Sequence, residues 1–209
     1  MDEGSARTLG QPFGVWNRTI HAKLVRRLTQ DGARAVFFDI VCSDPWIDPA
    51  QDEDLAAALR ENGRVFLGAA LDVAHGMGGV NEQVIPPIDE LADAAAGWGL
   101  LAFRPLDPDY GVRFLYAGSE VSASATWLLA AQLGARLPDD PDLRAPPRWV
   151  NYYGPVGIFD SVGYDRALQP DGVPPGFFKD KIVFVGGRSA PGTLGLGKDD
   201  FFHPHTRWT

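Results

Sequence analysis

The chain contains a single cysteine, Cys42, among its 209 residues. One cysteine cannot form an intrachain disulfide, which by itself favours a reducing compartment. Hydrophobic residues make up 45% of the chain, enough for a sizeable core, so a domain of this length needs no covalent crosslink. The cysteine content therefore leaves the compartment open, and one domain is expected.

Basic residues are in the minority, with 19 Lys and Arg against 27 Asp and Glu and a formal net charge of −8. Phosphate binding depends on Lys and Arg, so a nucleic-acid partner is excluded. No apolar run reaches the length of about 18 residues that would span a bilayer, and the first ten residues lack both regions of a signal peptide. We expect a soluble segment, and the abrupt end at HPHTRWT suggests a segment cut from a longer membrane protein.

Hydrophobic spacing alternates between helix and strand along the first half of the chain. Apolar residues recur at helical spacing in 18–29, which predicts an amphipathic helix ending at Asp31 and Gly32. The run 35–41 is apolar except for Asp39 and predicts a buried strand. A helix over 52–61 and a second strand over 64–71 complete a βαβ unit with parallel strands.

The second half continues the alternation with one change of direction. Helices are predicted at 88–96 and 121–134, and strands at 148–152 and 182–185. The strand-like segments 100–103 and 112–116 flank the turn-rich stretch RPLDPDYG, which favours an antiparallel hairpin. The predicted fold class is α/β: a single domain with a central mixed, largely parallel sheet flanked by helices and including one β-hairpin.

Acidic residues follow the first predicted strand and are the first candidates for chemistry. They are Asp39, Asp44, Asp48, Asp52, Glu53 and Asp54. Oxygen-rich loops suit Ca²⁺ or Mg²⁺, but the spacing does not match the EF-hand loop. The alternative is structural: Asp39 bonds loop amides, and the acids at 52–54 favour a helix start. No metal ligand set and no cofactor is predicted.

Three other motifs carry little chemistry. The stretch 192–198 matches the first seven positions of a P-loop, but Asp199 stands where the Mg²⁺-binding hydroxyl belongs and the glycines do not follow a strand directly. His203 and His205 could share a metal, yet no third ligand is evident. No serine sits in a GxSxG elbow. Nothing in the chain compels an enzyme.

Several blocks of residues form an ordered pattern along the chain. The first is a helix followed by DGARAVFFDIV, and the second is the acidic-capped helix D-x-D-L-x-x-A-L with Asn62-Gly63. The third is the turn LDPD-x-GV before Arg113. The last region combines NYxGP at 151–155, Tyr164, and F-x-x-KIV leading to Val185-Gly186. The blocks fall in order from about residue 18 to about residue 203. Together they resemble the type 2 CHASE domain, a sensory module outside the membrane in bacterial signalling proteins.

The resemblance implies an extracytoplasmic, non-catalytic input domain whose catalysis lies in a missing cyclase, kinase or similar output. It implies a lead-in at 1–17, a sensory domain at 18–203, and a truncated tail at 204–209 toward a missing membrane segment. The expected partner is an unknown small molecule or envelope protein, with homodimerisation possible. Two alternatives stay open: a docking or dimerisation module without a small ligand, and a metal-dependent enzyme.

A ligand pocket is expected at the carboxyl ends of the strands, where α/β sheets usually bind ligands. Polar side chains that could converge there come from four parts of the chain. They are Asp39, Asp44, Arg104, Asn151, Tyr152 and Arg188. The alternative is that the same residues have structural roles in loop bonding, corner packing and ion pairing.

Overall fold

The computed structural model describes residues 1–12, 16–76, 79–102, 111–119, 121–136, 148–154 and 157–187, with backbone alone at 74–76 and 79–80. In chain order the elements are α1 (Glu3–Leu9), α2 (Arg18–Gln30), β1 (Ala35–Val41), α3 (Pro49–Asn62), β2 (Val65–Gly76), β3 (Gly79–Ile85), α4 (Asp89–Ala94), β4 (Gly97–Leu100), β5 (Phe114–Leu115), α5 (Ala125–Gln132), β6 (Arg148–Trp149), α6 (Tyr164–Leu168) and β7 (Ile182–Gly186).

The main sheet is mixed and largely parallel, which confirms the predicted fold class. Strand β1 pairs in parallel with β2 on one side and with β7 on the other. Strand β2 also pairs in parallel with β4, and its second half forms an antiparallel hairpin with β3. A separate two-stranded sheet joins β5 to β6.

The predicted position of the hairpin is wrong. Residues 97–100 form β4 and pair with β2 in parallel, while β5 pairs antiparallel with β6. The observed hairpin joins β2 and β3 across 70–85, where β2 continues to Gly76 beyond its predicted end. The turn residues after 103 suggested a local reversal, but the β4 backbone is paired by a strand that precedes it by about 30 residues in sequence.

The ends of the first helices follow from their capping residues. Asn17 accepts a hydrogen bond from the Thr19 amide at the start of α2, and Asp48 accepts one from the Ala50 amide at the start of α3. Helix α3 ends at Gly63, whose φ of 67° is left-handed and costs glycine little. These caps explain why α3 begins at Pro49, earlier than predicted.

Each face of the main sheet packs on its own apolar cluster because side chains alternate along a strand. Val36 and Phe38 of β1 belong to the larger cluster, together with residues of α2 and α3. Ala35 and Phe37 face the opposite way and share a smaller cluster with α5. The first four residues of β1 are buried, as expected of a strand covered on both faces.

Candidate functional site

The carboxyl end of β1 places Asp39 at the edge of the buried part of the sheet. Asp39 is exposed, in contrast to the four buried residues before it, and pairs in register with Gly186 of β7. A Cβ atom at Gly186 would lie 3.2 Å from the Asp39 Cβ and 3.4 Å from its Oδ2. The Asp39 carboxylate therefore lies over a backbone position that carries no side chain. Its predicted location, at the carboxyl end of a parallel strand, is confirmed.

Asp44 lies in the loop that follows β1 and is exposed at its side chain. The Ser43 hydroxyl donates a hydrogen bond to its Oδ2 at 2.9 Å. Its backbone carbonyl accepts a hydrogen bond of 3.2 Å from Nη2 of Arg18, which comes from α2. The position of this loop is thus tied to a side chain of the first long helix.

Arg18 is the buried centre of a polar group that we call the Arg18 cluster, comprising Arg18, Cys42, Asp44, Trp46 and Asp52. Its Nε donates to Asp52 Oδ1 at 3.1 Å, and its Nη1 donates to the Cys42 sulfur at 2.9 Å. Asp52 Oδ2 accepts the Trp46 amide at 2.6 Å, and the guanidinium lies 5.4 Å from the Trp46 ring centroid. The cluster connects α2, the end of β1, the following loop and α3.

At neutral pH the Arg18 cluster has a structural role. Arg18 and Asp52 are both buried, and their opposite charges compensate each other. Burial raises the pKa of the Cys42 thiol. The nearby Arg18 charge opposes this rise and the Asp52 charge adds to it, and the pKa stays above its ordinary value. A thiol with a raised pKa is a poor nucleophile, so Cys42 acts here as a hydrogen-bond acceptor for Arg18.

Two of the remaining acids at the start of α3, Asp48 and Asp54, also have local partners. Asp48 caps the helix, and Asp54 accepts from Arg26 at 2.8 Å. Among the residues that the structure describes, no group of three His, Cys, Asp or Glu side chains is arranged to hold a metal ion. The described acids therefore offer no ligand set to the metal-dependent alternative.

Asn151 and Tyr152 follow strand β6 of the small sheet. Tyr152 follows β6, and its hydroxyl donates to the Val112 carbonyl just before β5. Burial raises the pKa of Tyr152, while Arg113 opposes that rise. Asn151 is exposed. The small sheet contacts α5 through the Arg148 guanidinium, which lies 5.7 Å from the Trp127 ring centroid.

The structure describes four of the six predicted ligand-binding residues. Asp39 and Asp44 lie within one strand end and its loop, and Asn151 and Tyr152 lie beside the small sheet. Arg104 and Arg188 fall outside the described residues, as do the glycine-rich stretch 192–198 and both histidines at 203 and 205. Convergence of all six on one ligand stays a prediction.

The buried polar residues of α2 were not predicted. Arg18 and His21 precede Val25 and Leu28 at steps of three and four, so they share the buried stripe of the helix. Helical spacing was the signal that could have placed them inside the fold. Their polarity argued for the surface, and their partners lie 34 and 143 residues away along the chain.

A second notable surface is apolar and exposed, and we call it the Tyr153 surface. Tyr153, Ile158 and Phe159 are 75%, 53% and 72% exposed, and the two aromatic rings meet edge to face at 6.3 Å. The next residue, Asp160, accepts from Lys181 at 3.4 Å, which places this surface beside the start of β7.

Within the described part of the chain, no helix is both long and apolar enough to cross a bilayer. A family model of the CHASE2 domain matches residues 1–204, which confirms the resemblance found in the sequence. Neither a curated protein nor a solved structure matches the chain. Because the family model covers almost the whole chain, the protein belongs to the CHASE2 domain family, a sensory, extracellular and non-catalytic family of domains found in signalling proteins.

Proposed function

We propose that this chain is the extracytoplasmic input domain of a membrane-bound signalling protein whose output is a cyclase, a kinase or a similar enzyme. The observation that carries the proposal is the family match over residues 1–204. The domain detects a signal outside the membrane and passes it on, and its signal is an unidentified small molecule or envelope protein. Catalysis belongs to the output domain.

The carboxyl end of β1 is the proposed place of detection. Asp39 and the loop carrying Asp44 stand where ligands bind in open α/β sheets. Arg18 joins that loop to α2, and Asp52 joins the same contacts to α3. A ligand that displaces the loop must therefore break its hydrogen bond to a buried side chain of α2.

Signalling would then follow from a shift between two arrangements of this loop. A ligand changes their populations only if it binds one arrangement more tightly than the other. The loop is held in the described arrangement by the bond from Arg18 to the Asp44 carbonyl and by the bond from the Trp46 amide to Asp52. In the second arrangement these bonds are broken.

Thermal unfolding against a panel of amino acids, organic acids, sugars, nucleotides and divalent metals tests this function. A compound at about 100 times its dissociation constant adds about 2.7 kcal/mol to the folded state, which raises Tm by several degrees. Asp39→Asn should remove that shift. The matched control is Asp171→Asn, which makes the same charge change at an exposed position after α6.

The outcomes separate the site from the function. A compound that stabilises both variants equally would support a ligand sensor and remove Asp39 from its site. A panel without any hit would argue against small-molecule detection and favour the docking alternative.

The Tyr153 surface favours that second candidate, a module that docks a protein or a second copy of the chain. Three exposed apolar side chains lie together there, and Phe184 of β7 is 61% exposed on the neighbouring edge strand. Sedimentation equilibrium of the wild type and of Phe159→Ser checks it for self-association. A monomer at all concentrations for both proteins would contradict docking to a second copy.

A further inference from the structure

Two short helices form a thin layer beside α2. Helix α6 has five residues and α1 has seven, both well below the length of about 12 that an isolated helix needs in water. The Ser5 hydroxyl joins them by donating to Asp165 Oδ1 at 2.7 Å. This α1–α6 layer is therefore folded because it packs on the rest of the domain.

His21 of α2 makes a buried polar contact with that layer. Its side chain is almost fully buried, and its Nδ1 lies 2.7 Å from the Tyr164 hydroxyl of α6. Its ring also packs edge-on against Phe38 of β1 at 5.7 Å between centroids. When the neutral imidazole carries its proton on Nε2, the Tyr164 hydroxyl donates to Nδ1. A second proton on Nδ1 removes that acceptor.

The groups around His21 do not compensate a positive charge on its ring. Arg18 lies one turn earlier on α2 and is already paired with Asp52 of α3. The amino group of Met1, ahead of α1, also acts on His21 as a cation. From α6, Tyr164 has a pKa raised by burial, to which Cys42 at the end of β1 adds. Tyr164 and Cys42 are therefore both neutral at pH 7.

Burial lowers the pKa of His21 from 6.5 to about 3, with Arg18 and the Met1 amino group contributing in the same direction. Once the layer opens and the ring meets water, its pKa returns toward the ordinary value. The open state then binds a proton below pH 6.5 that the closed state does not. The closed state is accordingly most stable above pH 6.5 and loses stability as the pH falls from 6.5 toward 3.

We propose that His21, buried between α2 and Tyr164 of α6, is an acid-sensitive element, and that protonation of His21 releases the α1–α6 layer from α2 while the sheet stays folded. The effect is independent of any ligand that the domain binds. It makes external acidity a physical input to the fold.

Amide hydrogen exchange on the whole chain measures the release. The Ala167 amide of α6 donates to the Gly163 carbonyl at 2.9 Å and reports the layer, while amides within α3 report the rest of the fold. After correction for the intrinsic exchange rate, protection at Ala167 should fall about 25-fold from pH 7 to pH 5 and should stay well below the protection of α3 at both pH values, because the layer opens without the rest of the fold.

Two variants test the assignment to His21. His21→Phe keeps an aromatic ring but cannot titrate, so Ala167 should keep its protection at pH 5. Tyr164→Phe keeps the titrating ring, so its acid-induced loss should remain. An equal loss in wild type and His21→Phe would overturn the proposal, as would an Ala167 protection equal to that of α3 or an Ala167 amide that is unprotected at pH 7.

A direct titration covers the case in which His21→Phe does not fold. The imidazole resonances of His21 in the folded wild type should not titrate between pH 7 and pH 5. A midpoint near 6.5 would overturn the proposal by itself.

Discussion

Removing the guanidinium of Arg18 tests the energetic role of the Arg18 cluster. Arg18→Met keeps the length and much of the volume of the buried side chain. It removes three hydrogen bonds, to Asp52, to the Cys42 sulfur and to the Asp44 carbonyl. The Asp52 carboxylate, whose side chain is only 4% exposed, then keeps one hydrogen bond from the Trp46 amide.

The expected cost follows from the uncompensated carboxylate. Breaking a buried ion pair by removing one partner costs about 3–5 kcal/mol, because the other charge stays buried. The free energy of unfolding from urea denaturation should fall by that amount. The double variant Arg18→Met/Asp52→Leu removes both charges and should recover most of the loss, which a double-mutant cycle measures.

Arg26 supplies the matched control on the same helix. It donates to Asp54 and Glu61, but all three side chains reach solvent. The exposed fraction is 34% for Arg26, 30% for Asp54 and 55% for Glu61. Such a surface pair contributes at most about 1 kcal/mol, so Arg26→Met should lose no more than that. If Arg18→Met costs no more than Arg26→Met, the reasoning about the Arg18 cluster is refuted.

Three further changes have distinct expected outcomes. Gly99→Ala should lower the free energy of unfolding, measured by urea denaturation, by about 2 kcal/mol, since the added Cβ would lie 2.8 Å from the Ala125 backbone of α5. An unchanged urea midpoint would contradict the close packing of α5 on β4. Gly186→Ala should crowd Asp39 and cost about 1 kcal/mol, measured by the same assay, and equal stability would show that Asp39 moves freely aside. His21→Phe should remove about 2 kcal/mol of the stability loss between pH 7 and pH 5, because the wild-type pKa falls from 6.5 to about 3 on burial; parallel pH profiles would contradict it.

The apolar strands were predictable because their signal is local. Strand β1 has its predicted ends, and β7 extends one residue past its predicted end, since both are continuous apolar runs bounded by turn residues. The β2–β3 hairpin was missed because much of β3 is polar and the connecting glycines are typical of a loop. A two-stranded ribbon exposed to solvent carries no continuous hydrophobic pattern.

The partners of the site residues could not be predicted from spacing. The position of Asp39 follows from the strand that carries it, and this part of the site was foreseen. The burial of Arg18 depends on Asp52, which is 34 residues away, and that of His21 on Tyr164, which is 143 residues away. A polar residue on an apolar helix face indicates a buried partner without naming it, since only the tertiary fold brings the two together.

The central claim is that this domain governs the activity of an attached output enzyme without catalysing a reaction itself. Output activity in membranes that carry the full-length signalling protein tests it most directly, with Arg18→Met in the domain compared against Arg26→Met. We expect Arg18→Met, which frees the loop after β1 from α2, to change the output activity, and Arg26→Met to leave it unchanged. Output that is the same in wild type, in Arg18→Met and in a protein lacking residues 1–204 would contradict the account.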